Sequence, residues 1–126
     1  KDNHLKAVPP DQLAVGIAGI AAQAREKFEP SFVEVEVDDL GQLQQVLELE
    51  PGVVDIVLLD NMEPAIMRKA VSMRDAAASS PSFEASGGIT LETVRDVAMT
   101  GVERIAVGAL THSSGCLDIG LDVRDE

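Results

Sequence analysis

The chain has few of the residue types that mark several common classes of protein. It has no tryptophan or tyrosine and only three phenylalanines in 126 residues, and its 22 acidic and 10 basic side chains give a formal net charge of −12. Proteins that bind nucleic acid use clustered cations to contact phosphates and aromatic rings to stack on bases. We therefore expect no nucleic-acid partner, which leaves a small anion, a metal ion or another protein.

Cysteine and long apolar runs are equally scarce. The single Cys116 cannot build a disulfide framework or a cysteine-rich metal site, so we expect a reducing compartment, the cytoplasm by default. No apolar run approaches the roughly 20 residues that span a bilayer, and we expect neither a signal segment nor a membrane partner. Because the chain begins at Lys1 with polar residues and no initiator Met, we expect a fragment of a longer protein.

Hydrophobic periodicity predicts helices and strands in alternation. The predicted helices span 11–28, 39–47, 64–77 and 90–100, and the predicted strands span 32–37, 53–59, 82–85 and 104–107, with the alternating tail 117–123 as a last short strand. This order, with short connections, is typical of a parallel sheet covered by helices, so the predicted fold class is α/β. Four such units are about half of an eightfold barrel, which typically needs about 250 residues. The abrupt start favours part of a TIM-like barrel over an open sheet.

Spacing also predicts which helix residues face the core. The predicted inward positions are Leu13, Ile17, Ile20, Ala21, Ala24 and Phe28 in the first helix, and Ile66, Met67, Ala70 and Val71 in the third. Each set recurs at three- or four-residue intervals, which gives one apolar stripe.

Two glycine-containing loops carry the strongest functional signal. EASGGIT (84–90) and VGALTHS (107–113) each follow an apolar run and precede a predicted helix start, with Thr111 placed to cap the second helix. Such loops present backbone N–H groups to anions such as phosphate. The alternative is that Ser86-Gly87-Gly88 forms a tight turn that needs positive φ. The two loops in tandem favour a phosphate site.

Three carboxylates fall near the carboxyl ends of predicted strands, where parallel α/β proteins form their sites. Glu34 and Glu36 lie two apart and share one side of their strand, which is either the interior of a barrel or the solvated side of an edge strand. Asp60 closes the next strand and either contributes to the site or caps the following helix. A Glu and an Asp beside a phosphate loop would suit Mg²⁺, a hard ion that takes oxygen ligands.

Three further polar residues are candidates for catalysis or substrate binding. We interpret His4 and His112 as hydrogen-bonded structural residues, not as catalytic ones. Lys1 is the one cation expected at the mouth of the barrel, where an ammonium would attract a carboxylate or pyrophosphate; the alternative is a surface lysine.

The order of five motifs resembles quinolinate phosphoribosyltransferases, also called nicotinate-nucleotide pyrophosphorylases (carboxylating). The motifs are KDNH (1–4), VEVEV (33–37), LLDNM (58–62), EASGGIT (84–90) and VGALTHSSGCLDIGLD (107–122). Two positions depart from the family pattern, namely Phe32, where a lysine is often found, and the 114–116 stretch.

The resemblance implies a reaction and a set of site residues. Quinolinate attacks C1 of phosphoribosyl pyrophosphate, pyrophosphate leaves with Mg²⁺, and loss of CO₂ gives nicotinate mononucleotide for NAD biosynthesis. It implies that Lys1 contacts the anionic substrates and that Glu36 and Asp60 engage the ribose hydroxyls and the metal. The implied phosphate-holding residues are Ser86, Gly87, Gly88, Ala106, Val107 and Gly108.

The resemblance also implies what the chain lacks. Residues 1–126 would be the C-terminal portion of the catalytic barrel domain, without the N-terminal domain or the first half of the barrel, and a homodimer or larger assembly is expected. The chain alone is then expected to be inactive. Three alternatives stay open: a phosphoribosyltransferase-like paralogue associated with molybdate uptake, another phosphate-binding barrel enzyme, and a non-catalytic interaction module.

Overall fold

The computed structural model describes Pro9, residues 12–112, Gly115, Leu117 and residues 119–121. Helices and strands alternate along these residues. The elements are α1 (Leu13–Phe28), β1 (Glu34–Val37), α2 (Leu40–Leu47), β2 (Ile56–Asp60), α3 (Pro64–Ala76), β3 (Ser82–Ser86), α4 (Val94–Ala98), β4 (Arg104–Ile105) and α5 (Ala109–His112).

The four strands form one parallel sheet in the order β1-β2-β3-β4. Glu36 lies opposite Leu58, Leu58 opposite Glu84, and Glu84 opposite Arg104, so the strands are in continuous register. Parallel neighbours joined through helices are the expected arrangement of repeated β-α-β units. The predicted α/β class, the parallel strands and the covering helices are confirmed.

Alternation along the strands separates two faces of the sheet. One face packs against the helices and contributes fully buried side chains to a single core: Val37, Val57, Leu59, Phe83 and Ala85 from the strands, with Leu43, Val46, Met67 and Ala70 from α2 and α3. The other, which we call the open face, carries Glu34, Glu36, Leu58, Asp60, Glu84, Ser86 and Arg104. The polar candidates in the strands therefore share one side of the sheet.

Most predicted elements are present, with shifted ends. The Asp39 side chain caps α2 by accepting a hydrogen bond from Gln42 N at 2.8 Å. The second strand begins only at Ile56 because the preceding residues turn, with Val53 N donating to Glu50 O. The described tail residues Leu117 and 119–121 are in no strand; the rest of that predicted strand lies outside the described residues.

The fourth helix and the fourth strand are shorter than predicted. The helix expected over 90–100 is Val94–Ala98, because Thr93 Oγ1 accepts from Thr90 N at 2.9 Å and holds 90–93 in a turn. The strand expected over 104–107 ends at Ile105. Ala106 still donates its N–H to Ala85 O at 2.9 Å, so the chain stays attached to β3 for one more residue.

The predicted inward stripe of α1 is partly wrong. Leu13, Ile17 and Ala21 are buried, but Ile20 is 56% exposed and Phe28 is 77% exposed. The α1 helix packs mainly against α2, and Leu13, Ile17 and Ala21 are its buried residues, fewer than the spacing predicted. In α3, Met67 and Ala70 are buried as predicted.

Two carboxylates hold the amino ends of the strands. In the Asp55 cluster (Arg25, Val33, Asp55), Oδ2 of Asp55 accepts from the N–H of Val33 at 2.7 Å and from Arg25 at 2.6 Å. In the Glu103 cluster (Arg74, Phe83, Glu103), Oε2 of Glu103 accepts from the N–H of Phe83 at 2.7 Å. Each cluster joins a helix to two adjacent strands.

Among the described helices, none combines the length and apolar character that a membrane crossing requires.

Candidate functional site

A cavity of about 440 Å³ lies at the carboxyl ends of β3 and β4. Its lining comes from both glycine loops, and the lining residues are Ser86, Gly87, Gly88, Ile89, Thr90, Ala106, Gly108, Ala109 and His112. The structure therefore brings together the two segments that the sequence marked separately. Carboxyl ends of parallel strands are where such folds bind ligands.

The first loop has the backbone conformation that its glycines permit. Gly87 has φ of 94° and Gly88 has φ of 60°, so the turn with positive φ that the sequence allowed is present. Within the described residues, no hydrogen bond uses the N–H of Gly87, Gly88 or Gly108. Unused N–H groups at a cavity wall can donate to a phosphate oxygen, so the turn and phosphate interpretations are compatible.

The second loop places a histidine against a glycine. A Cβ on Gly108 would lie 2.9 Å from Nε2 of His112, so the absence of a side chain at Gly108 makes room for the imidazole. Thr111 does not cap α5: it lies inside that helix and its hydroxyl donates to Gly108 O at 2.8 Å. Val107 packs against the core and does not line the cavity, whereas Ala106 does.

Asp60 ends β2 directly opposite Ser86. It is half-buried on the open face, and the N-cap position of α3 is Glu63, so the helix-capping interpretation of Asp60 is wrong. The next residue, Asn61, has φ of 51° and donates its N–H to Ser86 O at 2.8 Å. The end of β2 is therefore joined to the first glycine loop.

Glu36 is half-buried on the same face, on β1, while Glu34 is exposed. β1 is an edge strand of the described sheet, so the solvated-edge interpretation fits Glu34. Although much of the Glu34 side chain is exposed, partial desolvation of its carboxyl group raises the pKa of Glu34; the nearby carboxylate of Glu84 adds to this rise, and Arg104 opposes it. Arg104 pairs with Glu84 through Nε and Oε2 at 2.8 Å and lies 5.8 Å from the centre of the Phe32 ring.

The described residues supply only some of the ligands that a metal ion needs. Across the described residues, no group of three or more His, Cys, Asp or Glu could hold a metal ion. Glu36 and Asp60 supply two carboxylates on adjacent strands of one face. Mg²⁺ commonly takes one or two carboxylates and completes its shell with water and substrate phosphates, so this pair fits that ion in the presence of substrate.

Three predicted candidates have different outcomes. Lys1 and His4 lie outside the described residues. His112 lines the cavity, and its interpretation as a hydrogen-bonded structural residue stays a prediction. Its four-residue spacing from Gly108 on a predicted helix start is the signal that could have placed it there, since residues four apart share a helix face.

A family model and two curated relatives indicate the same family. Residues 1–122 match the family model described as quinolinate phosphoribosyl transferase, C-terminal domain. The chain is 44% identical over 124 residues to the nicotinate-nucleotide pyrophosphorylase [carboxylating] of Mycobacterium leprae, covering 98% of the chain and 40% of the relative. It is 33% identical over 128 residues to the probable nicotinate-nucleotide pyrophosphorylase [carboxylating] of Methanocaldococcus jannaschii, covering 98% of the chain and 42% of that relative.

Solved structures give the same result. The nicotinate-nucleotide pyrophosphorylase of Ehrlichia chaffeensis matches with a TM-score of 0.75 and 31% identity, over 98% of this chain and 40% of that one. The Francisella tularensis protein of that name matches with a TM-score of 0.68 and 34% identity, over 82% of this chain and 35% of that one. The chain thus spans about 40% of the length of the curated relatives it matches. It belongs to the quinolinate phosphoribosyltransferase family, whose C-terminal domain it matches.

Proposed function

We propose that this chain is the C-terminal portion of the catalytic barrel domain of a quinolinate phosphoribosyltransferase and holds the phosphoribosyl part of the substrate. The observation that carries the proposal is that both glycine loops line the same cavity of about 440 Å³. The names of its relatives support the reaction: quinolinate and phosphoribosyl pyrophosphate give nicotinate mononucleotide, pyrophosphate and CO₂. This reaction serves NAD biosynthesis.

The 5′-phosphate fits the cavity wall. The N–H groups of Gly87, Gly88 and Gly108 and the hydroxyl of Ser86 would donate to its oxygens, while Ala106 shapes the second loop and Val107 anchors that loop in the core. Donors fixed by the backbone lose little freedom when the anion binds, which favours tight orientation of the ribose.

Glu36 and Asp60 would accept hydrogen bonds from the ribose hydroxyls, because both lie on the open face toward the carboxyl ends of their strands. Together they would hold Mg²⁺, which when bound neutralises charge on the departing pyrophosphate. Fixing the ribose by both its phosphate and its hydroxyls would present C1 to the attacking quinolinate.

Quinolinate itself needs cations that the described cavity does not supply. It is a dianion, and none of the described lining residues is lysine or arginine. We propose that the carboxylates of quinolinate bind Lys1 and cations from other segments of the longer protein or from a second subunit. The second subunit would belong to a homodimer or larger assembly. The single Cys116 supports a cytoplasmic location.

The test is Mg²⁺-dependent formation of nicotinate mononucleotide from quinolinate and phosphoribosyl pyrophosphate. The 126-residue chain is compared with a version extended upstream, and activity in the extended form alone is expected. Quinolinate turnover also separates the enzyme from a paralogue that acts on another substrate. No product from either form would contradict the proposal.

A matched pair of variants in the extended form tests the carboxylates. Glu36→Gln should lower kcat/KM for phosphoribosyl pyrophosphate roughly 10- to 100-fold, as expected when one charge-assisted hydrogen bond is lost. Glu34→Gln changes the same residue type on the same face of β1, farther from the carboxyl end, and should have little effect. Equal losses in both variants would contradict the assignment of Glu36.

A further inference from the structure

Asn61 adopts a backbone conformation that few residues tolerate. Its φ of 51° is in the left-handed region, and among the described residues only Glu29 shares this feature without being glycine. Asparagine enters this region more readily than other residues with a side chain, because its short amide can hydrogen-bond locally. The conformation directs the chain away from β2 immediately after Asp60.

Each residue of the loop 86–88 lies against Asn61. The N–H of Asn61 donates to Ser86 O at 2.8 Å. A Cβ placed on Gly87 would lie 2.9 Å from both N and Cα of Asn61, and one on Gly88 would lie 3.7 Å from Oδ1 of Asn61. The closest of these approaches is possible only because Gly87 has no side chain.

We propose that Asn61 is a positioning residue that sets the geometry of the loop 86–88 for an anionic phosphate. The proposal rests on the proposed function for the identity of the ligand. N–H groups that donate to one phosphate must converge on it, and their directions follow from the backbone that carries them. A Cβ placed on Gly87 would also lie 3.0 Å from Cβ of Asn61, and that Cβ rotates when φ of Asn61 changes. A change of φ would therefore alter the surface against which Gly87 packs and so turn these N–H groups.

The test uses two replacements that separate backbone conformation from side chain. Asn61→Val introduces a β-branched residue that resists positive φ, whereas Asn61→Gly adopts positive φ freely. Inorganic phosphate is titrated into the 126-residue chain, and binding is followed through the amide resonances of Gly87 and Gly88. The thermal midpoint of each variant is measured in parallel.

Glu29→Val is the matched control. Glu29 has φ of 45° at the C-terminal end of α1, which leads into the amino end of β1, at the opposite end of the sheet from the cavity. Valine there introduces the same kind of strain away from the loop. Its stability should fall to an extent similar to that of Asn61→Val, and its phosphate affinity should not change.

We expect Asn61→Val to weaken phosphate binding about 5- to 30-fold, the range that follows from the cost of one residue in the left-handed region. It should also shift the amide resonances of Gly87 and Gly88 before phosphate is added. Asn61→Gly should keep the phosphate affinity and the two glycine resonances close to those of the wild type. If valine prevents folding, Asn61→Ala carries a similar conformational cost with less bulk and replaces it.

Two results would overturn the inference. One is unchanged glycine resonances and affinity in Asn61→Val; the other is an Asn61→Gly variant as impaired as Asn61→Val, which would make the side chain the cause. Suppose that the wild-type chain binds no phosphate, but that Asn61→Val, and not Asn61→Gly, shifts the amide resonances of Gly87 and Gly88. The positioning role of Asn61 is then supported, and the proposed phosphate-binding function of the loop is contradicted.

Discussion

Nη1 of Arg74 donates to both carboxylate oxygens of Glu103, at 2.6 and 2.8 Å. The Arg74 side chain is only 12% exposed, and its guanidinium lies 4.9 Å from the centre of the Phe83 ring. Exposed ion pairs contribute little to stability, but this pair is shielded on the arginine side and also holds the N–H of Phe83. Glu103 is therefore a structural anchor for β3.

Replacing Glu103 should destabilise the fold. Glu103→Gln keeps the size of the side chain and removes its charge, which leaves a largely buried guanidinium with a weaker partner. We expect the free energy of unfolding to fall by about 1–3 kcal/mol, measured by urea denaturation. Glu26→Gln, at an exposed position of α1, serves as control and should change it little. An equal loss in both variants would argue against the anchor.

The Asp55 cluster should make stability depend on acid pH. The N–H of Val33, and then Arg25, lower the pKa of Asp55 below its ordinary value of 3.8. A carboxyl with a lowered pKa stabilises the fold above its ordinary pKa, and this contribution is lost as the pH falls through the lowered value.

Urea midpoints between about pH 2 and pH 7 measure this contribution. Asp55→Asn should be less stable than wild type at neutral pH. The gap should shrink as the pH falls below about 4, where the carboxyl of the unfolded chain begins to bind a proton, and should close as the pH passes the lowered native pKa. Asp96→Asn, on an exposed part of α4, should follow the wild-type curve. A constant gap between wild type and Asp55→Asn down to pH 2 would contradict this account.

Arg104 should influence the titration of Glu34. It opposes the rise in the pKa of Glu34 that burial and Glu84 produce. Arg104→Met keeps much of the side-chain length without the charge, so the pKa of Glu34 should rise further. A carboxyl ¹³C NMR titration measures this shift, and Arg95→Met on exposed α4 is the control. An unchanged titration in Arg104→Met would show that the two groups do not interact.

Gly108 and His112 should behave as one unit. A Cβ at Gly108 would lie 2.9 Å from Nε2 of His112, so Gly108→Ala must push the imidazole out of its place on the cavity wall. We expect Gly108→Ala to weaken phosphate binding in the wild-type background and to have little further effect in His112→Ala. Calorimetric titration of the two single variants and the double variant gives the coupling. Strictly additive losses would rule out this coupling.

The sequence predicted the sheet because its signals are local and repeated. Apolar strands joined through helical segments imply parallel pairing, and this needs no knowledge of distant contacts. The turn at Gly87 and Gly88 could likewise be predicted because it depends on adjacent residues alone. For the site, the sequence identified both glycine loops but not the distance between them.

The errors arose where the outcome depends on partners far away in the chain. The exposure of Ile20 and Phe28 depends on which surface α1 meets, and spacing along a helix cannot specify that. Of the two interpretations of Asp60, helix capping fails because strand pairing with Ser86 extends β2 through Asp60 and Glu63 takes the N-cap position of α3. Thr93, which shortens α4, acts through a side-chain hydrogen bond that competes with helix formation.

The position of the cavity in the sheet has a consequence for its dynamics. β2 and β3 each have a strand on both sides, and their Val57, Leu59, Phe83 and Ala85 are fully buried. Amides in such strands exchange with solvent only through the largest opening motions of a domain. Asp60 and Ser86 are the last residues of these two strands, so the carboxylate and the first glycine loop are attached to the part of the chain that should open last.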